Sequence, residues 1–133
     1  IETKINQSKY KNKIKLIEDL KKDEISYLYS NAKLYIFSSY CEVFGLTNLE
    51  AMHYGIPVIT SNRSSLPEIC GDAAIYTDPL DSSDIEEKIS MLLNNKNLCN
   101  DMIARGKERV KRYSWNRTFS ETLSVINKVL IEK

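Results

Sequence analysis

Four short apolar runs punctuate the first part of the chain: residues 13–17 (KIKLI), 33–38 (KLYIFS), 56–60 (IPVIT) and 73–77 (AAIYT). The first alternates polar and apolar positions, as a half-buried strand does. The other three are denser and rich in β-branched and aromatic residues, as buried strands are. Their starts lie about 20 residues apart, and the gaps carry helical patterns. Strands alternating with helices at that spacing predict βαβ units and a parallel sheet. After residue 77 apolar positions recur every three to four residues over 85–93, 98–110 and 115–131, which predicts three helices. Gly106 weakens the middle one slightly. The expected fold is therefore α/β: a parallel sheet of about four strands, helices on both faces and a C-terminal helical tail.

Helix starts are marked by polar residues. Ser65-Leu66-Pro67-Glu68, Ser83-Asp84-Ile85-Glu86 and Thr47-Asn48-Leu49-Glu50 each fit a capping box, in which a hydroxyl and a carboxylate three residues later satisfy open backbone N–H groups. Tyr27, Tyr29, Trp115 and Phe119 recur at core-like spacing and are expected to pack inside.

Length and composition narrow the function classes. With 133 residues, 42% hydrophobic and 28% charged, the chain reads as one globular domain over residues 1–133. Nineteen Lys and Arg against 18 Asp and Glu leave a net charge of only +1, which does not argue for nucleic-acid binding. Basic residues cluster at 9–15 and 105–112; each run reads as a solvated face, with a lipid-headgroup contact as the alternative. Three unpaired-looking cysteines, Cys41, Cys70 and Cys99, fit free thiols in a reducing cytoplasm and neither a disulfide framework nor a zinc site. No apolar run approaches the roughly 20 residues of a membrane span.

The candidate chemistry lies between the second and third runs, in SYCEVFGLTNLEAMHYGIPVITS (39–61). Ligands of open parallel sheets bind beyond the carboxyl ends of the strands, where residues 38–48 and 61–65 fall. A helix opening near residues 46–48 offers free N–H groups to an anion. Gly45 lets the backbone turn sharply before it. Glu42 precedes the turn and Glu50 follows one helical turn later, so both can flank one anion pocket and accept hydroxyl hydrogen bonds. An anion site beside two carboxylates suits a phosphate joined to sugars. His53, two turns along, reads as an exposed helix residue, and residues 61–65 as a polar turn or a ligand contact.

The stretch Ser38-Ser39-Tyr40-Cys41-Glu42-Val43-Phe44-Gly45-Leu46-Thr47-Asn48-Leu49-Glu50-Ala51-Met52, followed by Gly55-Ile56-Pro57-Val58-Ile59, resembles the motif of retaining GT-B glycosyltransferases of family four (glycosyl transferases group 1). Its paired glutamates fall on Glu42 and Glu50, and the similarity continues through Ser64-Ser65-Leu66-Pro67-Glu68 to Tyr113-Ser114-Trp115. The resemblance implies a Rossmann-like sheet forming the C-terminal, donor-binding half of a GT-B fold, truncated at its N-terminus. It implies transfer of a sugar from a nucleoside diphosphate, with UDP favoured, to an acceptor alcohol with retained configuration, without a metal or cofactor, in bacterial polysaccharide or lipid-linked glycan synthesis. Glu42 would serve catalysis at the anomeric carbon, and Phe44, Gly45, Leu46 and Thr47 would hold sugar and diphosphate. Glu50 would take the ribose hydroxyls, and residues 17–19 would meet the base. The family's basic pair and its acceptor-binding domain would lie outside these residues, and the acceptor glycan or lipid-linked sugar with them. The full-length enzyme would be cytoplasmic, with peripheral contact at the inner membrane face as an option. Val43 stands where many members carry glycine. A non-catalytic nucleotide-binding module and a nucleotide-sugar epimerase remain the alternatives.

Overall fold

The computed structural model describes residues 1–131. Contacts group the chain into two compact units, Ile1–Asn31 and Ala32–Lys133. The first holds helix α1 (Glu2–Gln7), a 3-10 turn (Lys11–Lys13) and helix α2 (Lys22–Asn31). The expected strand at 13–17 does not form; residues 14–18 are irregular. Ile14, Leu16 and Ile17 are all exposed. The alternation there has no covered face to serve, and the unit has no second strand to complete a ladder.

The second unit runs β1 (Tyr35–Phe37), α3 (Leu46–His53), β2 (Val58–Ser61), α4 (Leu66–Cys70), a 3-10 turn (Gly71–Ala73), β3 (Ile75–Thr77), α5 (Ser82–Leu93), α6 (Lys96–Val110) and α7 (Trp115–Ile131). The three strands form a parallel sheet in the order β1-β2-β3, so the predicted sheet is present one strand short. Tyr35 pairs with Val58 and Ile59 with Ile75. Every residue of β2 is buried, as the middle strand of a sheet flanked by helices must be. Ile59, Leu92 and Met102 centre the core, with Leu34, Ile75, Ile89 and Leu98 packed around them. Gly106, which costs helix propensity, lies where α6 meets α3: a Cβ there would stand 3.1 Å from Met52 Cγ.

The three C-terminal helices match their sequence patterns, with α5 and α6 starting earlier than expected. Their caps do not match. Asp81, not Ser83, caps α5, accepting from the N–H groups of Ser83 and Asp84 at 2.9 and 3.2 Å. Gly45, not Thr47, stands at the cap position of α3, with Thr47 inside the helix, and Ser65 before α4 makes no side-chain cap bond. Tyr27, Trp115 and Phe119 are also corrected: they are 68%, 83% and 69% exposed. Trp115 and Phe119 share the apolar side of α7, which stays open along its length.

Candidate functional site

Parallel pairing places the carboxyl ends of β1 and β2 side by side, so the 38–45 loop meets the 62–65 turn. Gly45 makes the junction with α3 in the left-handed region, φ 87° and ψ 43°. There is no room for a side chain: a Cβ on Gly45 would lie 2.5 Å from Leu66 Cδ2 and 3.1 Å from Asn48 Nδ2. Asn48 is fully buried and folds back, its backbone N–H and Nδ2 both donating to the Gly45 carbonyl at 3.1 and 3.2 Å. The opening therefore presents the amides of Leu46 and Thr47, while that of Asn48 turns inward. Those two amides have no acceptor within the helix, and the helix dipole adds about half a positive charge there. The Asn48 Oδ1 is buried without a hydrogen-bond partner.

Glu42, Phe44, Gly45, Leu46 and Thr47 line one hollow of about 330 Å3, completed by Phe37 and Val43. Glu42 Oε1 accepts from the N–H of Val43 at 3.0 Å. Glu50 does not join this hollow. It lines a larger, mainly apolar one of about 500 Å3 with Leu49, His53, Tyr113 and Trp115; Phe44 and Leu46 line both. The Phe44 ring is braced edge-on against Tyr113, centroids 6.0 Å apart, a contact worth about 0.5–1.5 kcal/mol. His53 is exposed on α3, as its spacing suggested. Residues 17 and 20 belong to the first unit, where they line a hollow of about 370 Å3 with Asp23, Glu24, Tyr27 and Leu28.

Two features escaped the sequence reading. Ser64 and Ser65, read as a turn and a helix cap, both donate their hydroxyls to the Glu42 carbonyl, at 2.6 and 3.0 Å. Arg63 stands 5.8 Å over the Tyr40 ring and pairs with Asp78 at 3.4 Å. Both partners of that pair are well exposed, so it contributes at most about 1 kcal/mol and leaves the guanidinium available. Farther along, Arg109 donates to the carbonyls of Glu68 and Ile69, tying the end of α4 to α6. Burial pushes the neighbouring Cys70 thiol up from 9.0 to about 11 and the Tyr76 phenol from 10.0 to about 12. These are groups held neutral, not nucleophiles. Among the described residues no cluster of His, Cys, Asp or Glu could hold a metal ion, and no helix is long and apolar enough to cross a membrane.

The arrangement offers two oriented amides for an anion, a carboxylate for hydroxyl groups, and an adjoining apolar hollow. Known proteins resemble this chain. An O-antigen chain mannosyltransferase B from Escherichia coli is 37% identical over 102 residues, 77% of this chain and 27% of that protein. The C-terminal domain of a glycosyl transferase group 1 family protein from Francisella tularensis superposes with a TM-score of 0.69 at 28% identity, covering 84% of this chain and 58% of that one. A sucrose-phosphate synthase from Thermosynechococcus elongatus gives a TM-score of 0.87 at 21% identity, over 99% of this chain and 34% of the other, and shows the fold. The chain thus spans about a quarter of the mannosyltransferase. The model of the family described as glycosyl transferases group 1 matches residues 1–109, and the chain belongs to that family.

Proposed function

We propose that these residues form the donor-binding part of a glycosyltransferase that moves a sugar from a nucleoside diphosphate to an acceptor hydroxyl with retention of configuration. The observation that carries the reading is the hollow in which Glu42, Gly45 and the open amides of Leu46 and Thr47 converge. The diphosphate binds at those amides, whose fixed dipoles favour the charge that grows as it leaves. Glu42 faces the donor sugar and steadies the positive charge developing at the anomeric carbon. The anomeric carbon–phosphate oxygen bond breaks and the acceptor oxygen bonds on the same face; the acceptor proton passes to the departing phosphate. No metal or cofactor takes part. Glu50, one hollow away across Phe44 and Leu46, takes the ribose hydroxyls.

The acceptor is a bacterial glycan or lipid-linked sugar held by parts of the protein beyond these residues, in the cytoplasm or at the inner membrane face. A UDP-sugar is the donor favoured by the sequence resemblance. A second reading, a mannosyl donor, is favoured by the name of the O-antigen mannosyltransferase relative. A donor screen on the intact gene product, following release of UDP or GDP, separates the two. Glu42→Gln in that protein should lower kcat by roughly a hundredfold or more. Turnover within threefold of the parent would refute the role given to Glu42.

A further inference from the structure

We infer that Ser64 is a positioning residue: its hydroxyl, with that of Ser65, clamps the carbonyl of Glu42 and so fixes where the Glu42 carboxylate is carried. This rests on the catalytic reading of Glu42 proposed above. Two local preferences are given up to make the clamp. Ser64 sits at φ 58°, a left-handed conformation that residues with a side chain adopt at a cost and that concentrates at functional sites. Ser65 stands at the start of α4, where a hydroxyl ordinarily caps the helix, yet it makes no cap bond. Both hydroxyls instead reach 22 and 23 residues back along the chain to one oxygen. A carbonyl has two lone pairs, and here both are occupied from one side, by the turn leaving β2. Glu42 has no helix or strand of its own; residues 38–45 lie between β1 and α3. The loop is anchored at Gly45, where Leu66 and Asn48 pack against it, and at Glu42 by the two serines. Leu66 follows Ser65 directly, so the same turn holds the loop at both points.

The test is Ser64→Gly, which relieves the left-handed backbone and deletes the hydroxyl, measured beside Glu42→Gln and the double variant in the intact gene product. Loss of one hydrogen bond predicts a fall in kcat of about five- to tenfold, with donor KM within twofold and the melting temperature unchanged or raised. In the Glu42→Gln background the same change should have no further effect on kcat, since the group being positioned is gone. Wild-type kcat in Ser64→Gly beside an impaired Glu42→Gln enzyme overturns this inference and leaves the reading of Glu42 standing. So does a kcat loss accompanied by a lowered melting temperature, or one that persists in the double variant. A fully active Glu42→Gln enzyme overturns the catalytic reading itself, and this inference with it.

Discussion

Replacing Gly45 by alanine tests how tightly the loop–helix junction is built. Two separate costs add. At φ 87° a residue with a Cβ is strained by about 1–2 kcal/mol. The new methyl would also stand 2.5 Å from Leu66 Cδ2, far inside van der Waals contact. Leu66 and Asn48 are both fully buried, so neither can swing outward, and overpacking of this kind costs about 1–3 kcal/mol. The sum, about 2–5 kcal/mol, corresponds to a fall of roughly 10–20 °C in melting temperature for a domain of this size. Urea unfolding followed by circular dichroism measures it. Gly55→Ala is the control: φ is 74° there, but the nearest neighbour is the flexible end of Lys107 at 3.2 Å, so only the backbone cost of about 1–2 kcal/mol applies. Leu66→Val should partly rescue Gly45→Ala, leaving the pair less destabilised than the sum of the two single changes. A Gly45→Ala loss below about 1 kcal/mol, or one equal to that of Gly55→Ala, would refute the packing argument.

Two further outcomes follow from the caps and the buried thiol. Asp81→Ala should cost about 1 kcal/mol in chemical unfolding because it removes the acceptor for two amides of α5, whereas Ser83→Ala should cost under about 0.5 kcal/mol. Folding raises the Cys70 thiol from 9.0 to about 11, so the folded state holds that proton more tightly. Its stabilisation, up to about 3 kcal/mol, is fully present below pH 9 and lost as pH rises towards 11. Tyr76, raised from 10.0 to about 12, adds a second decline above pH 10. Melting temperatures should therefore fall from pH 9 upward, and Cys70→Ala should flatten the step between pH 9 and 10.

The pattern of apolar positions located β1, β2 and β3 within a few residues and the helices from 85 onward. The strands, α5 and α6 are legible because each turns a face to the core whose period the sequence must carry. The same rule misled at residues 13–17, where alternation exists without a covered side, since periodicity says which residues share a face and not whether anything covers it. Trp115 and Phe119 show the same on a helix: their spacing is that of a packed stripe, yet their side of α7 is open. Capping residues were located to a turn but not to a position, because Asp81 and Ser83 are both capping residue types two positions apart and only backbone geometry chooses between them. At the site, Glu42 and the residues from Phe44 to Thr47 were legible from one short segment, since local chain geometry alone brings them together. The separation of Glu50 from that hollow was not, because it depends on where the Phe44 and Leu46 side chains stand. The Ser64 and Ser65 contacts span more than 20 residues and depend on a left-handed serine, which no sequence pattern marks.

A donor's diphosphate held at the opening of α3 behind Gly45 must perturb the amides there. Titrating the isotopically labelled chain with UDP and with GDP, and following backbone amide resonances, tests it most directly. With the diphosphate at these amides, the largest shifts fall on Gly45, Leu46 and Thr47 and saturate together, with smaller ones at Glu42 and Ser64. Shifts centred instead on the basic residues of 105–112, or on residues 17–28, with those three amides unmoved, would contradict it.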